Sequence, residues 1–146
     1  MTTPISQPTD TPCVGVCSTI YGDLICRGCK RFYDEIIDWN TYEDSKKLEV
    51  LNRLNRLKTE TVQDYLEVID AQLLKAKCRH HKIRIREEFT PYTWAYLLLQ
   101  EGANKTTDLA KFGLLTKPDY QTLSFRALYE QIDDDLFSRA ERFRGQ

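Results

Sequence analysis

From Leu48 onward, apolar residues return at helical intervals through most of the chain. Leu48, Leu51, Leu54 and Leu57, with Val50 beside them, form one stripe. Lys46, Lys47, Glu49, Arg53 and Arg56 occupy the other face. This pattern predicts an amphipathic helix that starts at an Asn40–Glu43 or Thr41–Asp44 cap and ends near Lys58. Val62, Leu66, Ile69, Leu73 and Ala76 then follow a 4-3-4-3 rhythm. That rhythm predicts a second helix folded back on the first, or one long helix with a dimerising seam. Thr90-Pro91 opens a further helix that Gly102 stops, with Trp94, Leu97 and Leu98 on its buried side and Tyr92, Tyr96 and Leu99 widening it. Thr107 to Phe112 predicts a short helix closed by Gly113. Beyond Pro118-Asp119, a final helix carries Phe125, Leu128, Ile132, Leu136 and Ala140 on one face. The triplet Asp133-Asp134-Asp135 fans around that helix, which predicts solvent exposure.

The period changes before Leu48 and again at Lys82. Phe32, Ile36 and Trp39 mark a short helix with Asp34 as its cap, and Trp39 is read as core. Ser18 to Ile25 is β-favouring around Gly22-Asp23 and predicts a short hairpin. Lys82-Ile83-Arg84-Ile85-Arg86 alternates as a short edge strand does. The Thr-, Pro- and Ser-rich residues 1–11 read as a flexible tail. These readings together predict a mainly α protein: a small N-terminal four-cysteine metal-knuckle hairpin module, then a compact bundle of about five helices. The expected division is a tail at 1–11, the module with its packing helix at 12–58, and a helical domain at 59–146.

The hairpin matters because of what flanks it. Four of the five cysteines lie at Cys13, Cys17, Cys26 and Cys29, a C-x3-C-x8-C-x2-C spacing. Two close pairs bridged by a short hairpin suit tetrahedral zinc, and equally the four thiolates of an iron–sulfur cluster. In Cys26-Arg27-Gly28-Cys29-Lys30-Arg31, Gly28 lets the chain turn tightly, and Arg27, Lys30 and Arg31 can offset thiolate charge. Disulfides would need an oxidising compartment. Met1-Thr2-Thr3-Pro4 shows no secretory signal, and no run approaches the roughly 18 apolar residues of a membrane span. A cytoplasmic protein with reduced thiols and a metal centre, zinc or iron–sulfur, is therefore expected.

The order Pro12-Cys13, Cys17, Cys26-Arg27-Gly28-Cys29-Lys30-Arg31, Glu35-Ile36, Trp39 and the helix through Val50 and Leu51 resembles the DUF1289 family. These are small bacterial proteins of uncharacterised function, often labelled predicted iron–sulfur proteins. The resemblance covers residues 12 to 58. It implies a bacterial source and Cys13, Cys17, Cys26 and Cys29 as ligands, with zinc or iron left open. Phe32 stands where the family pattern has a small Thr or Ser.

The net charge of −1 gives no global polarity, so partners are sought in local patches. From Leu74 to Thr90, Lys75, Lys77, Arg79, Lys82, Arg84 and Arg86 face only Glu87 and Glu88. This stretch suits phosphate contacts to nucleic acid, or else is a solvated face complementing a helix C-terminus. Cys78, His80 and His81 lie within it, but neighbouring helical histidines point about 100° apart and the four-cysteine set needs no fifth ligand. No phosphate loop, H-E-x-x-H or G-x-S-x-G motif is present. The expected role is a metal-stabilised binding or adaptor protein with a protein partner. The alternatives are an iron–sulfur redox or electron-transfer protein and a nucleic-acid-binding module.

Overall fold

A computed structural model describes residues 23–102 and 108–144. The tail, Cys13, Cys17, the hairpin residues up to Gly22, and Thr107 lie outside the described residues. The described residues form five α-helices, one small sheet and three short 3-10 turns: α1 (Tyr33–Ile37), α2 (Asp44–Gln63), β1 (Leu66–Val68), α3 (Ala71–His80), α4 (Pro91–Gly102), β2 (Leu114–Thr116) and α5 (Phe125–Arg144), with the turns at Trp39–Thr41, Leu109–Phe112 and Pro118–Tyr120. The mainly helical expectation holds.

Helix α4 is the hub. It packs against α2, α3 and α5, so it is apolar around most of its circumference. Trp94, Ala95, Tyr96, Leu98 and Leu99 are all buried. They meet Val62 from α2, Leu74 and Cys78 from α3, and Leu128, Ile132 and Leu136 from α5. Thr90 caps α4, its hydroxyl accepting from the Thr93 N–H at 3.4 Å. The Asn55 side-chain carbonyl latches α2 to that start, accepting from the Thr93 hydroxyl at 2.5 Å and the Thr90 N–H at 3.4 Å. A second, smaller cluster of Trp39, Val50, Leu51 and Leu54 lies near the N-terminal end of α2. Trp39 is thus core, as read.

Several boundaries differ from the sequence reading, each for a local reason. Helix α1 is capped at Phe32 rather than Asp34, and α2 starts after Glu43. Helix α2 continues past Lys58 to Gln63. Thr59 and Thr61 stay helical by donating their hydroxyls to the Asn55 and Leu57 carbonyls, both at 2.7 Å. The seam from Val62 to Ala76 does not form. Leu66 and Val68 belong to β1, and Asp70 starts α3 by accepting the Leu73 N–H at 3.0 Å. Lys82 to Arg86 forms no strand, although Ile83 and Ile85 are buried while Lys82 and Arg84 are exposed. That segment is pinned through the Trp94 indole N–H, which donates to the Arg86 carbonyl at 2.8 Å. The turn Leu109–Phe112 is a 3-10 turn capped by Asp108, with Gly113 ending it as expected.

Strand β1 pairs antiparallel with β2, with Leu66 opposite Thr116 and Val68 opposite Leu114. The sheet is closed at one end by Gly113. Its carbonyl accepts the N–H groups of Ile69 (2.8 Å) and Asp70 (3.1 Å), and its φ is +76°. A Cβ there would lie 2.4 Å from the Asp70 carbonyl oxygen. Left-handed backbone and this close approach both demand glycine. Gly113→Ala is therefore expected to cost about 2 kcal/mol or more in urea unfolding. A loss below about 0.5 kcal/mol would show that the 66–70 turn can move away freely.

Candidate metal centre

The described part of the cysteine module is a tight hairpin. Ile25 and Phe32 form an antiparallel bridge. Inside it, the Cys26 N–H donates to the Arg31 carbonyl (2.9 Å) and the Lys30 N–H to the Cys26 carbonyl (2.8 Å). The tip is Arg27-Gly28-Cys29. Cys26 and Cys29 are each only 1% exposed. The left-handed residue of this turn is Lys30 (φ +67°), not the Gly28 that the sequence suggests. A lysine there costs about 1 kcal/mol relative to an unstrained backbone, so side-chain contacts must hold it.

Those contacts come from the far end of the chain. The Lys30 side chain is buried, and its Nζ donates to Asp133 Oδ1 on α5 at 2.8 Å and to the Arg27 carbonyl. The same Asp133 oxygen accepts the Tyr96 hydroxyl of α4 at 2.5 Å. Burial, then the Asp133 charge, push the Tyr96 phenol well above its usual range. Asp133 and Asp135 thus depart from the expected exposure. Asp135 accepts the Tyr65 hydroxyl at 2.9 Å and pairs with Arg139, and only Asp134 is exposed.

A second lysine shares this corner. Lys58 of α2 places Nζ 5.4 Å from the centre of the Tyr96 ring. Its pKa falls to about 8, first because burial strips its water and then because Lys30 repels it; the Cys29 and Asp133 charges pull the other way. Arg31 is buried, and its Nε donates to Cys29 Sγ at 3.3 Å. Burial raises the Cys29 thiol pKa, and Arg31 opposes that rise. Arg31 also lies over the Trp39 ring (5.0 Å), and Arg27 over the Phe137 ring (4.2 Å).

Glu35 fastens the hairpin to α2. This buried carboxylate accepts the Phe32 N–H at 2.9 Å and both terminal nitrogens of Arg53, one of them at 2.7 Å. Arg53 in turn lies over the Phe32 ring at 4.3 Å. Phe32, large where a small residue was expected, stacks on Phe143 of α5 with ring centres 6.2 Å apart.

Of the proposed ligands, Cys26 and Cys29 lie together and Cys13 and Cys17 fall outside the described residues. Among the described residues no group of three or more metal-binding side chains converges. Arg27, Gly28, Lys30 and Arg31 all belong to the hairpin. Cys78 is elsewhere, buried in the main core with Sγ 3.9 Å from the Trp94 carbonyl. Burial pushes its thiol up to about 11. In the basic stretch, Lys75 and Arg79 both pair with Glu87 (2.5 and 2.6 Å), and Arg86 lies 3.5 Å from Glu88. Lys77 faces Phe112, and Lys82 and Arg84 are exposed. Sequence reasoning missed Lys58, Tyr96 and Asp133 as members of the cysteine corner. No spacing rule links Lys30 to an aspartate 103 residues away.

Comparison with known proteins agrees with the resemblance read from the cysteines. Residues 11–58 match the family model described as "Protein of unknown function (DUF1289)". The chain is 43% identical over 44 residues to "Uncharacterized protein YdhL" of Escherichia coli (strain K12), a match covering 30% of this chain and 54% of that protein. The same figures hold for the protein of that name in Shigella flexneri. The chain thus spans about half the length of the curated relatives it matches. No solved structure matches it.

The Lys30–Asp133 bond yields a direct test. Asp133→Asn keeps the shape but leaves a buried ammonium without its counterion, and is expected to cost about 3 kcal/mol in urea unfolding. Asp134→Asn, on the exposed neighbour, is expected to cost less than about 0.5 kcal/mol. Equal effects would mean that Lys30 reaches solvent or another anion.

Proposed function

We propose that Cys13, Cys17, Cys26 and Cys29 bind one metal centre, zinc or iron–sulfur, and that the protein is a metal-stabilised binding module. The observation that carries this reading is the surplus of positive charge around two buried cysteines. Lys30, Arg31 and Lys58 are drawn in beside Cys29, and Asp133 supplies one counter-charge. Burying cations without compensation is costly. Four thiolates around Zn(II) would carry a formal charge of roughly −2, and a four-thiolate cluster is also anionic. Such a centre supplies the missing negative charge, and the donor set suits either metal. When bound, the metal holds the thiolates together and fixes the loop. Arg31 steadies a sulfur through its N–H, while Lys30 and Lys58 stabilise the thiolate charge from the bundle side.

The binding role rests on the outer face of the hairpin. Leu24, Tyr33 and Ile37 are 57%, 45% and 61% exposed. The Tyr33 N–H donates to the Leu24 carbonyl, and Tyr33 and Ile37 lie one helical turn apart on α1. Apolar side chains grouped in this way suit a protein partner.

Anaerobic purification with elemental analysis and an absorption spectrum tests the metal reading. One centre per chain is expected, lost in Cys26→Ala or Cys29→Ala and retained in Cys78→Ala. Iron with sulfide and visible bands identifies a cluster, and a colourless zinc protein identifies a structural site. A metal-free wild type, or metal loss in Cys78→Ala, would overturn the assignment.

A further inference from the structure

A cleft of about 230 Å³ opens beside the cysteine hairpin, between α2 and α5. We propose that it binds a small aromatic monocarboxylate. Its walls include the rings of Phe32 and Phe143 together with Leu57 and Ala140. Phe143 is 46% exposed, so an apolar surface stands open at this edge. The volume is below that of sites for drug-sized ligands and suits a single substituted ring.

Charge decides the polar end of the ligand. Arg53, Arg56 and Lys30 also line the cleft, against the single carboxylate of Glu60. Lys30 is committed to Asp133. Arg53 spends two of its five N–H donors on Glu35, and its guanidinium lies over both Phe32 (4.3 Å) and Phe143 (5.6 Å). That anchoring fixes the fork before any ligand arrives, which lowers the ordering cost of binding. Arg56 is exposed and makes no ion pair among the described residues. Arg56 offers its guanidinium fork to one planar carboxylate, while Arg53, already bound to Glu35, lines the same cleft. Glu60, one turn beyond Arg56, repels a second negative charge, so a dicarboxylate or a phosphate dianion is disfavoured. The paired phenyl rings favour a flat aromatic body over a flexible chain.

The cleft borders the cysteine centre through Lys30, and its test does not depend on which metal is present. The full-length protein as purified is titrated with benzoate and followed by nuclear magnetic resonance. Saturable shifts are expected at Phe32, Phe143 and Arg56. Acetate should bind at least about tenfold more weakly, because it lacks the ring. Arg56→Gln, a change at an exposed position, should weaken benzoate about tenfold with an unchanged melting temperature. Absence of saturable shifts at these residues overturns the proposal. So does octanoate or inorganic phosphate binding more tightly than benzoate, or Arg56→Gln binding benzoate as well as the wild type.

Discussion

Two lysine ammonium groups cannot be withdrawn from water side by side without negative charge to receive them. That constraint organises the N-terminal corner of this protein. Lys30 and Lys58 come from the hairpin and from α2, and they meet over the α4 and α5 side chains Tyr96 and Asp133. Asp133 serves Lys30 and Tyr96 through one oxygen. Lys58 faces the Tyr96 ring, and burial followed by repulsion from Lys30 depresses its pKa. In the proposed metal-bound state the thiolates balance this arrangement, whereas free thiols do not. Arg31, donating to Cys29 Sγ, opposes the rise that burial imposes on that thiol.

A consequence is that the cysteine hairpin is not a separate bead on the chain. It is bound to α2 through Glu35 and Arg53, to α5 through Asp133, Phe137 and Phe143, and, by way of the shared Asp133 oxygen, to α4. The 58/59 boundary read from sequence falls within α2, whose later turns pack into the main core through Val62. The region outside the 11–58 family match therefore supplies the countercharge and the aromatic wall for residues inside it. A metal bound as proposed would be felt by the bundle, because the strained Lys30 backbone is maintained by a side chain anchored there.

What the sequence disclosed was local. The Cys26–Cys29 turn is legible because it closes within a few residues, and α4 and α5 are legible because Thr90-Pro91 and the Leu128–Ile132–Leu136 stripe carry both boundary and period. The Val62–Ala76 rhythm misled because Leu66, a member of that seam, satisfies a period of two with Val68 as well. Their partner, β2, lies some 50 residues away and could not be read from either segment alone. Asp133 was read as solvent-facing because consecutive aspartates fan around a helix. That inference is sound for Asp134 and fails for Asp133, where a buried lysine arrives from the other end of the chain. Long-range charge pairing leaves no periodic trace in a single sequence.

The account makes the charge of the cysteine centre the counterpart of Lys58, so the two can be varied together. Unfolding of wild-type and Lys58→Met protein is measured in the metal-loaded and metal-stripped states. The account predicts opposite signs: methionine stabilises the stripped protein by removing an uncompensated cation, and it destabilises the loaded protein by removing a counterion. A change of the same sign and size in both states would show that Lys58 does not sense the centre, and would contradict the account.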